Sequence, residues 1–487
     1  MFALFLTSGL FLGWSLGAND AANAFGTAVG TRMISFRKAA VLSGIFVILG
    51  AVISGAGASE TLGELGSVNA IAGAFVVALA AALTVYWLTV LGYPVSTTQA
   101  IVGAIIGWDI FAGAMIDYDS LFKIVATWIV SPVLAAITAV VLYKIIAAIV
   151  MRAGIHMFKL DALTRYGLVI AGIFGAYALG ANNIANVVGV FIPVSPFQDM
   201  EVFGLFKLTA AQQLFLIGGV AIAVGTFTYG KKVMLTVGAG IADLLPVAAL
   251  VAVLANALVL FLFASQDLQS FLIRQGIPPI PLVPVSSSQA IVGAVLGIGL
   301  LKGGRAIRWR MVGGIVGAWA VTPVAAIIVS LFSLFVVQNV FQQRTYIPVE
   351  YSMTAEAVQK LGSQGIAIDR IAGLQGRSFK NAFDLDRELS AFVTKRGKNR
   401  SAIMAAAEVA DLKIAEGRIQ RIKGQWFTPG QIRAVEALKG RTFLHKWMLN
   451  DALAELSPEW RMKDSDLAKK YNAELSRKLE YLHRLFR

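Results

Sequence analysis

The chain contains no cysteine, which excludes disulfides, zinc–thiolate sites and catalytic thiols. Its three histidines, His156, His445 and His483, lie outside the clearly apolar runs, so a histidine proton relay within a membrane is not expected. Charged residues make up 14% of the 487 residues, against about 25% in soluble domains. Hydrophobic residues make up 57%, and several apolar runs reach the ~20 residues that cross a bilayer. We therefore predict an all-α polytopic membrane protein.

The charged residues are concentrated toward the C-terminus. Residues 1–342 hold 16 of the 42 Lys/Arg and 11 of the 28 Asp/Glu, and residues 343–487 hold the remaining 26 and 17. We predict that residues 343–487 form a soluble, basic, mainly helical domain that favours anionic surfaces such as lipid headgroups. Its role stays open among regulation, dimer contact and partner binding. The sequence has no recognisable nucleic-acid-binding motif, and no nucleic acid partner is expected.

Two stretches of this C-terminal part predict single amphipathic helices. One is SAIMAAAEVADLKIAEGRI at 401–419, and the other is DSDLAKKYNAELSRKLEYLHRLF at 464–486. In the second stretch, apolar side chains recur at helical spacing, which indicates a packing face. The residues of this stripe are Leu467, Tyr471, Leu475, Leu479 and Leu482.

Ten apolar segments form two sets of five, and three motifs recur in the same order in both sets. The corresponding stretches are GAND at 17–20 and GANN at 180–183, YPVSTTQAIVGAIIG at 93–107 and VPVSSSQAIVGAVLG at 283–297, and IVSPVLAAI at 129–137 and AVTPVAAII at 320–328. This recurrence indicates an internal duplication. We place membrane repeat 1 at residues 1–155 and membrane repeat 2 at residues 156–342.

The loop charges predict that the second repeat is inverted. Arg32, Arg37 and Lys38 follow the GAND segment, whereas Asp199 and Glu201 follow the GANN segment. The same reversal follows the two serine- and threonine-rich motifs, after which the loop charges are Asp109, Asp117 and Asp119 in repeat 1 and Lys302, Arg305, Arg308 and Arg310 in repeat 2. By the positive-inside rule, the N-terminus then lies outside the cell membrane, and two inverted-topology repeats follow.

Ten crossings that start outside would also end outside, which would place the C-terminal domain there. A re-entrant hairpin counted as a span would instead move that domain to the cytoplasmic side. The first apolar segment has no basic region or small-residue cleavage site before GAND, so we expect a retained span rather than a signal peptide.

The motif GANDAAN places Asn19, Asp20 and Asn23 within one helical turn of an apolar segment. Asp20 and Asn23 are three residues apart and share a helix face. GANNIAN repeats this spacing with Asn183 and Asn186. Their oxygens suit hard cations such as Na⁺. The flanking glycines would permit close backbone approach and local unwinding, which frees carbonyls as further ligands. The alternative is that these amides only join helices by hydrogen bonds.

A further carboxylate in the membrane region, Asp243 in GAGIADLLPV, follows Lys231 and Lys232 closely. It is either a functional group or a residue at the cytoplasmic interface, and the sequence does not decide between these positions.

The motifs PVSTTQA and PVSSSQA each open an apolar helix with three consecutive hydroxyl side chains. These are Ser96, Thr97 and Thr98 in repeat 1, and Ser286, Ser287 and Ser288 in repeat 2. The proline suits the first turn of a helix. Free N–H groups and the positive end of the helix dipole form an anion site there. Two such helix ends could hold one tetrahedral oxyanion, and the alternative is ordinary N-capping.

Together, GANDAANAFGTAVGT, GANNIANV, PVSTTQA and PVSSSQA resemble the paired signatures of the inorganic phosphate transporter family, over about residues 5–340. The resemblance implies cation-coupled phosphate uptake by a homodimer with helical hairpins, no enzymatic activity, and no cofactor besides Na⁺ or H⁺ as coupling ion. It implies Na⁺ ligands at Asp20, Asn23, Asn183 and Asn186. The implied phosphate ligands are Ser96, Thr97, Thr98, Ser286, Ser287 and Ser288.

The chain departs from the family pattern at three positions. Gln99 and Gln289 replace the histidine that usually follows the hydroxyl run, and Asn183 replaces the aspartate of the second repeat. The choice between Na⁺ and H⁺, the stoichiometry, and the choice between phosphate and sulfate therefore stay open. An anion channel of the same fold and a sensor that reports through the basic domain are the alternatives outside the carrier class.

Overall fold

A computed structural model of the chain describes ten stretches of residues: 2–66, 68–202, 206–231, 234, 244–305, 307–366, 371–390, 398–422, 426–463 and 468–487. Lys232, Asp243 and Leu467 lie outside them, so the expectations for these residues are not addressed by the structure. Two compact units are present. The membrane unit comprises Met1–Ala112 and Ile116–Ile347, and the C-terminal unit comprises Gly113–Met115 and Pro348–Arg487.

The membrane unit is helical. Its described α-helices are α1 (Phe2–Gly30), α2 (Phe36–Ser54), α3 (Ala56–Leu65), α4 (Ile71–Val90), α5 (Thr97–Ala112), α6 (Tyr118–Arg152), α7 (Met157–Val188), α8 (Ala210–Thr228), α9 (Pro246–Ala264), α10 (Gln266–Arg274), α11 (Ser287–Leu301) and α12 (Trp309–Asn339). A 3₁₀ helix (Gly189–Val194) and an antiparallel pair, β1 (Met200–Val202) and β2 (Phe206–Leu208), follow α7.

Within the described residues, eight of these helices are long and apolar enough to cross a membrane: α1, α2, α4, α6, α7, α8, α9 and α12. Two shorter apolar helices, α5 and α11, have 16 and 15 residues. At about 1.5 Å per residue they fall short of a hydrocarbon core of about 30 Å. The ten apolar segments of the sequence are therefore eight span-length helices and two short ones, and the short helices begin at the hydroxyl-rich motifs.

The glycines of the GAND and GANN motifs serve close helix packing rather than unwinding. Helices α1 and α7 continue through both motifs. A Cβ at Gly17 would overlap the backbone oxygen of Ile222 in α8, and a Cβ at Gly180 would overlap that of Val47 in α2. The expected close backbone approach is therefore confirmed at both glycines. The expected unwinding that frees backbone carbonyls is wrong, because both helices continue through the motifs.

The short helices pack in the same reciprocal way. Gly103 of α5 meets the backbone of Pro323 in α12, and Gly293 of α11 meets the backbone of Pro132 in α6. Each of these glycine contacts therefore has a counterpart in the other half of the unit, as expected of a duplicated fold. The orientation of the two repeats across a bilayer, and their boundary at residues 155 and 156, stay predictions.

The C-terminal unit combines short helices with two-stranded sheets. Its described α-helices are α13 (Ala355–Ser363), α14 (Ala382–Leu389), α15 (Lys398–Ala407), α16 (Glu416–Ile419), α17 (Pro429–Ala437), α18 (Lys446–Leu456) and α19 (Lys469–Phe486). Its strands are β3 (Tyr351–Ser352), β4 (Ser378–Phe379), β5 (Val409–Lys413) and β6 (Thr442–His445), and β3 pairs with β4 and β5 with β6, both antiparallel.

The single helix predicted over residues 401–419 is wrong. Helix α15 ends at Ala407, and β5 follows over Val409–Lys413. The stripe of the last helix is confirmed as a packing face, because Leu475, Leu479 and Leu482 are buried in a hydrophobic core of this unit.

His483 in α19 makes the stability of the C-terminal unit depend on pH. Its Nε2 lies 2.8 Å from Asn450 Oδ1. Burial, reinforced by the charge of Lys446, lowers the pKa of His483 from 6.5 to about 4. The folded unit keeps the ring neutral, whereas the unfolded chain takes up a proton below about pH 6.5. Stability is therefore complete above that pH and declines as the pH falls toward 4, by about 3 kcal/mol in total.

Hydrogen–deuterium exchange over Lys446–Leu456 in the full chain, corrected for intrinsic rates, measures this loss. His483→Gln should flatten the pH dependence between about pH 7 and pH 4, because glutamine has no proton to gain. Equal pH dependence in the variant and the parent would contradict the assignment.

Candidate functional site

Asp20 lies at the centre of a buried polar cluster in the membrane unit. Its Oδ1 accepts hydrogen bonds from Asn19 Nδ2 (3.2 Å), Asn23 Nδ2 (3.2 Å) and Ser288 Oγ (3.0 Å). Its Oδ2 accepts one from Asn183 Nδ2 (3.3 Å). The predicted neighbours on one helix face, Asp20 and Asn23, are therefore in direct contact, and residues of both repeats meet at this one carboxylate.

The amides of repeat 2 form the other part of the cluster. Asn182 Nδ2 donates to Asn183 Oδ1 (2.5 Å) and to the carbonyl of Val285 (2.6 Å), and Asn182 Oδ1 accepts from the N–H of Val285 (3.0 Å). Asn186 Nδ2 donates to Thr98 Oγ1 (2.9 Å). All four side chains are buried, so these bonds form without competition from bulk water.

Asn19 and Asn182 were not among the predicted cation ligands, but each holds the chain just before one short helix. Asn19 Nδ2 donates to the carbonyl of Val95 (2.9 Å), as Asn182 does to that of Val285. Ser288 Oγ also donates to the carbonyl of Val95 (3.0 Å). The sequence signal for this role is that asparagine recurs at 19 and 182, the same position of the aligned motifs. Asn19 and Asn182 hold the starts of α5 and α11 against α1 and α7.

The first hydroxyl of each triplet is an N-cap. Ser96 Oγ accepts from the N–H of Gln99 (3.2 Å), and Ser286 Oγ accepts from the N–H of Gln289 (3.3 Å). For these two serines the alternative of ordinary capping holds. The prolines of the motifs precede the caps by two residues, so they lie outside the first helical turn in which the sequence predicted them.

Three of the four remaining hydroxyls contact an amide of the opposite repeat, and one of them, Ser287, also contacts an amide of its own repeat. Asn23 Nδ2 lies 3.1 Å from Ser287 Oγ and 3.4 Å from Ser288 Oγ, and Asn183 Nδ2 lies 3.4 Å from Ser287 Oγ. The hydrogen bond from Asn186 to Thr98 is the equivalent contact in the other direction, from an amide of repeat 2 to a hydroxyl of repeat 1. The structure thus brings the GAND motif to the PVSSSQA helix and the GANN motif to the PVSTTQA helix.

Several buried oxygens of this cluster have no hydrogen-bond partner within the described protein. They are Asn19 Oδ1, Thr97 Oγ1, Gln99 Oε1, Asn186 Oδ1 and Gln289 Oε1. A buried polar atom without a partner is costly, so ordered water, an ion or a bound substrate is expected at these oxygens. Amide and hydroxyl oxygens can coordinate a hard cation or accept the proton of a protonated anion.

Charge is sparse around the site. Among the residues whose burial is described, Asp20 and Asp109 are the only charged side chains buried in the membrane unit. Asp109 was read from the sequence as a loop charge, but it lies inside α5, fully buried, and neither carboxylate oxygen has a described hydrogen-bond partner. The donors that the described cluster offers are therefore neutral: hydroxyls, asparagine amides and the N–H groups of helix starts, of which the last suit oxyanions.

The fold and this cluster define a polytopic helical membrane protein whose duplicated halves share one buried polar site, the general plan of secondary transporters. The sequence model of the phosphate transporter family matches residues 16–163 and 156–330. The chain therefore belongs to the phosphate transporter family.

Individual relatives agree with this membership. A provisionally named phosphate permease of Methanocaldococcus jannaschii is 29% identical over 319 residues, covering 66% of this chain and 92% of the relative. A second, from Pyrococcus furiosus, is 28% identical over 417 residues, covering 66% and 93%. A solved structure described as a sodium-dependent phosphate transporter superposes with a TM-score of 0.55 at 23% identity, over 69% of this chain and 98% of that one. That likeness establishes the fold.

Proposed function

We propose that the chain is a secondary active transporter that imports inorganic phosphate together with a cation by alternating access. The carrying observation is the reciprocal contact of the two motif pairs, in which Asn23 bonds Ser287 and Asn186 bonds Thr98. Groups suited to a cation and groups suited to an oxyanion therefore meet at one buried place, so one ligand can stabilise the binding of the other.

The phosphate ligands in this proposal are the hydroxyls and N–H groups at the starts of α5 and α11. Thr97, Thr98, Ser287 and Ser288 contribute their hydroxyls, while Ser96 and Ser286 shape the helix starts as caps. The first N–H groups of a helix have no intrahelical acceptor and carry the positive end of its dipole. Phosphate is thus held without a lysine or arginine.

The cation in this proposal is Na⁺ rather than H⁺, with oxygen ligands from Asp20, Asn23 and Asn186. Asn183, which the family resemblance also implies as a ligand, instead directs its Nδ2 at Asp20 Oδ2. Hard oxygen donors are what Na⁺ requires, and Asn186 Oδ1 is buried without a partner. The structurally similar transporter is described as sodium-dependent, which supports the same choice. The site would function in a homodimer in the cell membrane, with the N-terminus outside.

Uptake into proteoliposomes tests the proposal. Labelled phosphate should accumulate against its gradient when a Na⁺ gradient is imposed, and sulfate should accumulate far less. Sulfate accumulation with no phosphate uptake would favour the sulfate alternative. Phosphate flux that merely equilibrates, with no response to any Na⁺ or H⁺ gradient, would indicate a channel and refute the carrier.

Ser287→Ala is expected to raise the KM for phosphate about 10- to 100-fold, since hydrogen bonds to charged groups contribute about 1.5–3 kcal/mol. Ser287 Oγ faces the amides of Asn23 and Asn183 and lies in the first turn of α11. Initial rates of labelled phosphate uptake measure the change.

Thr84→Ala is the matched control for Ser287→Ala. Thr84 is also buried, but its hydroxyl donates to the carbonyl of Ala80 in its own helix. Its KM should stay near the parent value. An unchanged KM in Ser287→Ala would remove Ser287 from the phosphate site.

A further inference from the structure

The two copies of the motif at the site differ in charge at one aligned position. Repeat 1 carries Asp20, and repeat 2 carries Asn183. These two side chains are directly bonded, with Asn183 Nδ2 3.3 Å from Asp20 Oδ2. The duplicated site therefore contains one carboxylate and, in the place of a second one, a neutral amide.

The hydrogen bonds fix the orientation of the Asn183 amide. Its oxygen accepts from Asn182 Nδ2, while its nitrogen faces the Asp20 carboxylate and the Ser287 hydroxyl. A flipped amide would set its oxygen against the Asp20 carboxylate and its nitrogen against the Asn182 donor, so both contacts would become repulsive. Asn183 thus presents donors, not acceptors, toward the centre of the site, and a cation is not attracted to donors.

The carboxylate of the described cluster, Asp20, lies on the repeat 1 side. Asp20 Oδ2 accepts a hydrogen bond from Asn183 Nδ2, and a carboxylate oxygen can accept more than one partner. Asn19 Oδ1, beside it in the chain, is buried without a partner. The aligned oxygen in repeat 2, Asn182 Oδ1, is instead taken by the N–H of Val285. Positions 19 and 20 of repeat 1 thus offer a free amide oxygen and a carboxylate, whereas the aligned positions 182 and 183 offer neither. The free oxygens of repeat 2, Asn186 Oδ1 and Gln289 Oε1, belong to neutral amides.

We infer that each transport cycle carries one Na⁺, bound on the Asp20 side, and that Asn183 is the residue that sets this stoichiometry. The inference rests on the proposed function and concerns the same site. A second buried cation at Asn183 would have no carboxylate to offset its desolvation, which makes its binding unfavourable. The donors of Asn183 instead hold Asp20 in position.

The test measures the ratio of labelled Na⁺ to labelled phosphate taken up by proteoliposomes. The parent chain should take up one sodium ion per phosphate, with a hyperbolic dependence of the rate on Na⁺. Asn183→Asp should raise the ratio toward two and make the Na⁺ dependence sigmoidal, because a second carboxylate creates a second cation site. Asn183→Ala is the matched neutral variant and should keep the ratio at one, with slower uptake.

The outcomes separate this inference from the proposed function. A ratio of two in the parent chain overturns the single-cation assignment while leaving phosphate transport intact. Asn183→Asp that transports phosphate with an unchanged ratio also overturns it. If Asn183→Asp does not fold, the ratio in the parent chain decides alone. Absence of any phosphate uptake by the parent chain would refute the proposed function instead.

Discussion

Asp20→Asn is expected to reduce Na⁺-driven phosphate uptake about 100-fold or more, because hydrogen bonds and ion contacts of a buried charge contribute several kcal/mol. Asp20 accepts hydrogen bonds from Asn19, Asn23, Ser288 and Asn183. An amide in its place would put an N–H donor next to side chains that already donate to Asp20, and the negative charge of the site would be lost. Initial rates of labelled phosphate uptake with and without a Na⁺ gradient measure the effect.

Asp161→Asn is the matched control for Asp20→Asn, since it is the same substitution in the same unit. Asp161 lies on the surface, 3.4 Å from Arg165 one turn along α7. Exposed pairs of this kind contribute only about 0.3–0.5 kcal/mol, so uptake should be unchanged. Normal Na⁺-driven uptake by Asp20→Asn would show that the GAND carboxylate does not serve cation coupling.

The motifs and their duplication are visible in the sequence, but the hydrogen bonds between motifs of different repeats are not. Motif residues were visible because a carboxylate and runs of hydroxyls are expensive in an apolar segment. That Asn23 bonds Ser287, and Asn186 bonds Thr98, depends on helix packing across more than eighty residues of chain, which periodicity does not report. From the sequence, two helix ends could hold one oxyanion, and the cross-repeat hydrogen bonds show that the motifs of the two repeats lie together.

The burial of Asp109 is a second feature that the sequence does not reveal. Asp109 follows an apolar stretch and precedes Asp117 and Asp119, so it was grouped with them as a loop charge. Helix α5 extends to Ala112, and the side chain is fully enclosed. A carboxylate near the end of a helix gives the same sequence signal whether it faces water or protein, because tertiary contacts decide which.

The error in the C-terminal unit has a local cause. Residues 401–419 contain alanines and charges that favour a helix, yet Val409–Lys413 alternates inward and outward and pairs with Thr442–His445. A five-residue strand offers little periodicity of its own. Its partner lies about thirty residues away, so pairing outweighs the helical propensity of the stretch.

Gly180→Ala is expected to destabilise the membrane unit by about 3 kcal/mol or more, at the upper end of what overpacking of a core costs. The added Cβ would overlap the backbone oxygen of Val47 in α2, and a backbone atom cannot rotate away as a side chain can. Gly17→Ala meets the same obstacle at Ile222 in α8, so the two variants should behave alike. Tryptophan fluorescence during thermal unfolding in detergent suits a chain with nine tryptophans and no cysteine.

Gly317→Ala is the matched control, because Gly317 also lies inside a long apolar helix, α12. Apart from the adjacent backbone of its own helix, no atom of the described residues lies within 4 Å of the position of its Cβ. There the exchange should be neutral or should stabilise by up to about 1 kcal/mol through helix propensity. Equal effects of all three substitutions would mean that helix propensity dominates. Loss of stability in Gly17→Ala and Gly180→Ala alone would instead show that close backbone contacts between the halves hold α1 and α7, and with them Asp20 and Asn183, in register.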